Sequence, residues 1–119
     1  MRVFIPGNVP SSKNSRVWTG KFFIASKAVQ KWRKDTLQWW QTMRPHFLID
    51  DNRIYPMKLG ITFVRGNKHK FDYNNMANTV LDEMVRHGWI EDDNADIVIP
   101  VFFPYKYDKE HPGVYLEIL

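Results

Sequence analysis

The chain contains no cysteine among its 119 residues, which excludes a disulfide framework and a zinc site built on thiolates. No apolar run approaches the roughly 18 residues that a membrane-spanning helix needs, and the N-terminus lacks the apolar core of a signal peptide. A Walker loop, a catalytic-serine elbow and a glycine-rich dinucleotide fingerprint are also missing. These absences predict one soluble, cytoplasmic domain over residues 1–119, with no membrane partner.

Acidic residues are scarce in the first part of the chain. Residues 1–70 contain 14 Lys and Arg against 3 Asp and Glu, a balance of +11, whereas residues 71–119 contain 3 against 10, a balance of −7. The asymmetry indicates a surface that binds a polyanion such as nucleic acid. The alternative is an ordinary solvated surface whose charges mix on folding.

Turn residues and apolar periodicity predict the order β-α-β-α-β-β, an α+β two-layer domain with a mixed sheet. A first helix begins after the N-cap Ser26 and runs to about Met43, where Pro45 ends it. A second helix spans about 73–87, between the N-cap Asp72 and a C-terminal Gly88. The predicted strands are Met1–Ile5, a small one near Phe22, Met57–Val64, Ile97–Phe103 and Val114–Ile118, of which the last two form an antiparallel hairpin.

The two helices have apolar faces that predict what they bury. Val29, Trp32, Leu37 and Trp40 form the stripe of the first helix, with Thr36 as its weak point. The second helix buries Ala77, Val80, Leu81 and Met84, and Glu83 is expected in solvent. The tryptophans of the first helix serve either the core or a dimer interface.

Two stretches together resemble the RusA family of Holliday-junction resolvases, small endonucleases of phages and prophages. The first is FDYNNMANTVLDEMVRHGWIEDDNADIV at residues 71–98, similar to the family's central signature of acids around a helix. The second is IPGNVPSSKNSRVW at residues 5–18, followed by ASKAVQKWR at 25–33, similar to its proline-rich loop and first helix. Both occur in order, and the match covers most of the chain.

The resemblance implies a Mg²⁺-dependent endodeoxyribonuclease of recombination and repair, in a bacterial or phage setting. Such an enzyme is a homodimer that binds four-way DNA junctions and cuts two strands symmetrically. The resemblance also implies catalytic carboxylates at Asp72 and Asp93. The runner-up is a junction-binding protein of the same fold with weak or lost cleavage. A weaker alternative is a regulatory dimer whose basic surface is incidental.

This chain departs from the family pattern at two positions. Where the family has a second Asp two residues after the first, this chain has Asn74, which removes one negative charge. Where the family has a Lys six residues after the first Asp, this chain has Asn78, which removes a candidate cation for the phosphate.

The candidate ligands for Mg²⁺, or for Mn²⁺ in its place, are oxygen donors at the two ends of the second helix. Mg²⁺ prefers such donors and keeps several waters, so one or two carboxylates per ion suffice. Asp72 is otherwise a structural N-cap, Asn74 an exposed first-turn residue, and the Asp92-Asp93 pair a solvated turn. A helix of 14 residues is about 20 Å long. Either the chain after Gly88 returns along the helix, which the resemblance favours, or a second subunit supplies an acid.

Basic and polar residues on both sides of the first helix are candidates for DNA contact. A turn just before Asp72 is basic and would hold the phosphates that flank the proposed ion. The loop near the N-terminus adds further donors. The set is Lys13, Asn14, Arg16, Lys68, His69 and Lys70.

Overall fold

The computed structural model describes residues 2–10, 16–20, 23–49 and 53–119. Two helices and seven strands lie in these ranges. In chain order they are β1 (Val3–Pro6), β2 (Arg16–Trp18), β3 (Phe23–Ala25), α1 (Lys27–Phe47), β4 (Met57–Arg65), α2 (Tyr73–Arg86), β5 (Val98–Phe102), β6 (Lys106–Tyr107) and β7 (Gly113–Ile118).

Five of the strands form one mixed sheet with β4 at its centre. The order is β1-β7-β4-β5, and the short β6 continues the edge by pairing with the last residues of β4. β7 is antiparallel to both β1 and β4, whereas β5 and β6 run parallel to β4. The strands β2 and β3 form a separate antiparallel ribbon. The α+β class with a mixed sheet is as predicted.

Both helices pack on the same face of this sheet. The alternate residues Met57, Leu59, Ile61 and Phe63 of β4 belong to the core cluster that contains the buried residues of α1 and α2. Eight of the nine residues of β4 are nevertheless buried, because neighbouring strands flank it on both sides. These four residues therefore face the helices, while the strand as a whole is the buried centre of the sheet.

Helix α1 begins as predicted, because the Ser26 hydroxyl accepts a hydrogen bond from the Val29 N–H at 3.3 Å. The predicted end is wrong: α1 continues through Pro45 to Phe47. Pro45 lies in the last turn, where it removes one backbone hydrogen bond, and the buried Phe47 ring packs 4.8 Å from that of Trp89.

The apolar stripe of α1 also differs from the prediction at two positions. Leu37 is exposed, and Thr36 is buried in its place. The Thr36 hydroxyl donates to the Trp32 carbonyl at 2.7 Å and accepts from Trp40 Nε1 at 3.0 Å. A hydroxyl that makes both hydrogen bonds is tolerated in an apolar core.

Helix α2 has the predicted ends and the predicted apolar face. The Asp72 carboxylate accepts from the Asn74 N–H at 2.9 Å, and Gly88 adopts a φ of 75° after the C-cap His87. Glu83, expected in solvent, is instead buried at 1% exposure, because Arg33 of α1 lies against it.

The predicted hairpin of the last two long strands is wrong. β5 and β7 lie on opposite sides of β4, and the segment between them contributes β6 to the sheet. Because β5 is parallel to β4, α2 is the crossover connection of a β4-α2-β5 unit. The predicted strand at Met1–Ile5 begins at Val3, and the one near Phe22 is β3. Met1 and Phe22 themselves lie outside the described residues.

Neither described helix combines the length and the apolar character that would let it cross a membrane.

Candidate metal and nucleic-acid site

Asp72 follows the turn that leaves the carboxyl end of β4, where the chain enters α2. The preceding Phe71 packs its ring 6.5 Å from that of Phe63 on β4, which fixes the approach to the helix. Asp72 is exposed, and its Oδ1 caps the helix through the Asn74 N–H. Ligand sites commonly lie at the carboxyl ends of parallel strands, beside the N-terminus of the following helix. The carboxylate is thus both a structural cap and an accessible oxygen donor.

The basic turn before Asp72 is held by side-chain amides. Asn67 Oδ1 accepts from the His69 N–H at 3.0 Å, and Asn8 Oδ1 accepts from the Gly66 N–H at 2.8 Å. The side chains of Lys68 and His69 are left exposed, as is that of Lys70. The turn therefore presents its cations to solvent next to Asp72.

The start of the N-terminal loop packs against this turn. Besides the Asn8 contact, the Val9 carbonyl accepts from Arg65 Nη1 at 2.9 Å, and the Gly7 N–H donates to the Pro112 carbonyl at 2.9 Å. Val9 is itself buried. Arg65 therefore links the start of the N-terminal loop to the opening of α2, since its Nη1 donates to the Val9 carbonyl and also reaches Met76 Sδ of α2 at 3.6 Å.

Arg65 is the group that sequence reasoning missed at this junction. Its side chain is 1% exposed, lies 4.8 Å from the centre of the Phe71 ring and also donates to Asn67 Oδ1 at 3.3 Å. Its Nε has no hydrogen-bond partner, and no carboxylate among the described residues pairs with it. Burial lowers the pKa of the Arg65 guanidinium from its ordinary value, with the charge interaction with Tyr105 acting against it. In the sequence, Arg65 is indistinguishable from a surface cation at the end of a strand.

The Asp92-Asp93 pair lies in the turn between α2 and β5, and both side chains are exposed. Asp92 Oδ1 accepts from the Asp93 N–H at 2.8 Å, and Asp92 Oδ2 accepts from the Asn94 amide at 3.1 Å. The hydrogen bond from the Asp93 backbone, followed by that from Asn94, lowers the pKa of Asp92 below its ordinary value. Asp96 belongs to the same turn and donates its N–H to Asn94 Oδ1.

The two ends of this turn are held by different elements, one by α1 and the other by the start of β4. On one side the Gly88 carbonyl accepts from Arg44 near the end of α1, and Trp89 Nε1 donates to the Trp40 carbonyl. On the other side the Met57 N–H donates to the Ile97 carbonyl at 2.8 Å. The chain returns along α2 only in β5, which begins at Val98, so Asp92 and Asp93 precede the return, contrary to the alternative that the resemblance favours.

Asp72 and Asp93 of one protomer therefore lie at opposite ends of α2. A helix of 14 residues spans about 21 Å, far more than the separation of two ligands of one ion. Among residues 2–10, 16–20, 23–49 and 53–119, no three His, Asp or Glu side chains gather into a group that could hold a metal. A single protomer offers Asp72 with Asn74 at one end and Asp92 with Asp93 at the other, so Asp72 and Asp93 of the same protomer do not share one ion.

The predicted DNA-contacting residues fall into two groups. Lys68, His69 and Lys70 share the turn beside Asp72. Lys13 and Asn14 lie outside the described residues, and Arg16 begins β2, where only its backbone is described.

Two exposed tyrosines next to the basic turn are further residues that the sequence reasoning passed over. Tyr105 is 51% exposed and Tyr107 is 47% exposed, and both lie between the two strands that were predicted to form a hairpin. The signal was present in the alternation of tyrosine and lysine in PYKYDK at residues 104–109. Alternation places such tyrosines on one side of an extended segment.

A comparison with models of known protein families gives no match to this chain, and a comparison with curated proteins gives none either.

Proposed function

We propose that the protein is a metal-dependent, structure-selective endodeoxyribonuclease that resolves four-way DNA junctions by paired phosphodiester hydrolysis. The observation that carries the proposal is that Arg65 bridges the two motif stretches at the start of α2. Its Nη1 donates to the Val9 carbonyl of the first stretch and reaches Met76 Sδ of the second at 3.6 Å, and its guanidinium lies 4.8 Å from the centre of the Phe71 ring. Neither stretch alone is specific for the family. If both contribute to one functional site, they must lie close together in the fold, as they do here.

The chemistry of the exposed groups supports hydrolysis of a phosphodiester. Lys68, His69 and Lys70 are exposed just before the start of α2 and are suited to hold DNA phosphates, whose charge dominates the affinity of such proteins. A Mg²⁺ ion would supply Lewis-acid stabilisation of the phosphate charge and a more acidic water. Asp72, with the amide oxygen of Asn74, would hold such an ion on one side.

The separation of the acids supports a homodimer with composite sites. Asp93 of one protomer would meet Asp72 of the other, since one chain cannot bring them together. A two-fold axis creates two such sites and so accounts for two symmetric cuts. The face of the sheet opposite the helices has partly exposed apolar side chains, Ile99 at 40%, Phe103 at 37% and Leu119 at 54%, which are available for an interface between copies.

The second candidate function is a junction-binding protein that cleaves weakly or not at all. The observation that favours it is chemical: Asn74 and Asn78 replace a carboxylate and a cation that the family pattern carries near Asp72. Loss of one carboxylate weakens Mg²⁺ binding, whereas the basic turn that holds the DNA backbone is retained.

A cleavage assay on a synthetic four-way junction separates these functions. The junction is labelled on each strand in turn and incubated with Mg²⁺, Mn²⁺, Ca²⁺ or EDTA, with a linear duplex of the same sequence as the control. We expect paired cuts in opposing strands of the junction, in Mg²⁺ or Mn²⁺ only, and none in the duplex. Junction binding without cuts in any metal would establish the second candidate. A protein that binds neither substrate at low salt would refute both.

A further inference from the structure

Tyr105 presents a fixed aromatic ring beside Asp72. Its N–H donates to the Tyr73 hydroxyl at 3.1 Å, and its ring meets the Phe71 ring edge-to-face at 4.9 Å and 87°. The Phe71 ring in turn packs 5.2 Å from that of Tyr73, in the first turn of α2. These contacts hold one side of the Tyr105 ring, and half of the side chain remains exposed.

Tyr107 provides a second ring on the same side of the segment. It lies in β6, which pairs in parallel with the end of β4, and its Cα partner is the buried Arg65. The Asp108 N–H donates to the Arg65 carbonyl at 2.9 Å, so the backbone at this point is anchored. Residues two apart in an extended chain point to one face and lie about 7 Å apart. Tyr105 and Tyr107 therefore form a short, rigid pair of exposed rings.

Cations lie next to this pair of rings. Lys68 Nζ lies 5.0 Å from the centre of the Tyr107 ring, and the exposed Lys70 follows in the same turn. Lys106 stands between the two tyrosines in sequence and is exposed, and the same alternation directs it to the opposite face of the segment. The acids nearby are Asp72 at the start of α2 and Asp108 after β6. Exposed rings interleaved with lysines are the combination that binds unpaired nucleotides, since rings stack on bases and cations hold the backbone.

We infer that Tyr105 and Tyr107 are a stacking platform for an unpaired nucleobase of the nucleic acid that is held at Asp72. The inference rests on the proposed function, because the base in question is one that is released at the branch point of the junction. Stacking would hold the strand next to the scissile phosphate and would favour branched over continuous duplex DNA. Lys68 at the Tyr107 ring and the exposed Lys70 in the same turn argue for a nucleotide as the occupant, in preference to an apolar protein surface.

The inference is tested with oligonucleotides that carry the fluorescent base 2-aminopurine, placed in a single strand, at the branch point of a junction or inside a linear duplex. Stacking on an aromatic ring quenches this base. The variants are Tyr105→Ala, Tyr107→Ala and the two Tyr→Phe changes, which keep the rings. Tyr55→Ala is the matched control, because Tyr55 is 45% exposed and bonds to Glu91 beyond the C-terminal end of α2.

We expect each Tyr→Ala change to weaken single-strand binding roughly tenfold and to remove quenching at the branch point. The Tyr→Phe changes and Tyr55→Ala retain both signals, and circular dichroism verifies that each variant is folded. Equal quenching and affinity in the parent and in both Ala variants would overturn the inference, as would a parent that binds a partner protein through these rings but no oligonucleotide.

The outcome also separates this inference from the proposed function. If the parent cuts junctions and the Ala variants bind and cut them equally well, the stacking inference is wrong and the proposed nuclease function is retained. If the parent binds single strands through the tyrosines but cuts nothing in any metal, the nuclease is wrong and the platform stands.

Discussion

Glu83 of α2 and Arg33 of α1 form an ion pair across the contact between the two helices, with Oε1 of the acid 3.0 Å from Nε of the base. The carboxylate is 1% exposed, and Arg86 Nε at 3.3 Å and His87 Nε2 at 3.2 Å also approach it. His87 in turn stacks on Trp40 of α1, with parallel rings 6.1 Å apart. A charged cluster therefore joins the helices at the end of α2 that leads into the Asp92-Asp93 turn.

We predict that Glu83→Gln lowers the free energy of unfolding by about 2–3 kcal/mol, because it leaves a partly buried guanidinium without its counter-charge. The measurement is urea denaturation at neutral pH. Asp35→Asn is the control, since it removes the exposed Lys31–Asp35 pair, worth about 0.3–0.5 kcal/mol. Equal effects of the two changes would show that the buried ion pair contributes no more to stability than the exposed one.

The two roles of Asp72 are separable by substitution. Asn caps a helix as well as Asp does, so Asp72→Asn should abolish junction cleavage while stability is unchanged and DNA binding persists or tightens. Asp72→Ala should lose cleavage and also about 1 kcal/mol of stability. Asp93→Asn is expected to behave like Asp72→Asn. Cleavage assays and gel shifts in Ca²⁺ are the measurements, and an Asp72→Asn variant that cuts at the parent's rate would mean that the ion lies elsewhere.

We predict that Asn74→Asp strengthens Mg²⁺ binding and raises cleavage at low Mg²⁺, because it adds a carboxylate one turn or less from Asp72. Titration calorimetry and the Mg²⁺ dependence of the cleavage rate are the measurements. Asn75→Asp is the matched control, since it adds the same charge at the next position of the helix. An equal gain from both changes would indicate a general charge effect without direct coordination.

The titration of Asp92 should be visible in the NMR chemical shift of the Asp93 N–H, because this N–H donates to the Asp92 carboxylate. Because the folded-state pKa is lowered, the stabilisation of this turn is present above the ordinary value of 3.8 and is lost as pH falls through the folded value. We expect the Asp93 amide shift to titrate with a midpoint below 3.8. Asp92→Asn should abolish that titration, and a midpoint above 3.8 would contradict the hydrogen bonds described here.

A homodimer is expected in solution. Multi-angle light scattering should give about twice the 14.2 kDa mass of the chain. Phe103→Glu, on the sheet face opposite the helices, should shift the measured mass toward that of the monomer. A monomer mass for the parent at high protein concentration would count against composite sites.

The ends of α2 could be predicted from the sequence because they depend on local chemistry. Asp72 and Gly88 act within a few residues of themselves, through a side-chain cap and a positive φ. The apolar face of α2 follows from the helical period for the same reason. The extension of α1 past Pro45 could not be predicted in this way, since it depends on the distant Trp89 packing against Phe47.

The pairing of strands and the burial of charges could not be predicted from the sequence, because both depend on tertiary neighbours. β5 was predicted to pair with the last strand, yet it lies beside β4, and periodicity does not reveal which strands are adjacent. Glu83 and Arg65 have the sequence signature of surface residues, and only the positions of Arg33 and Val9 explain their burial. The acids of the candidate site were identified by motif, while their placement at opposite ends of α2 required the β4-α2-β5 connection.

The length of α2 has a genetic consequence. If Asp72 of one copy works with Asp93 of the other, a copy with Asp72→Asn and a copy with Asp93→Asn, each inactive alone, jointly retain one intact pair of acids. A mixture of the two inactive proteins should then regain single-strand nicking of the junction, although it cannot make the paired cut. Sites formed within single protomers would leave the same mixture inactive, so complementation between two inactive alleles distinguishes the two arrangements.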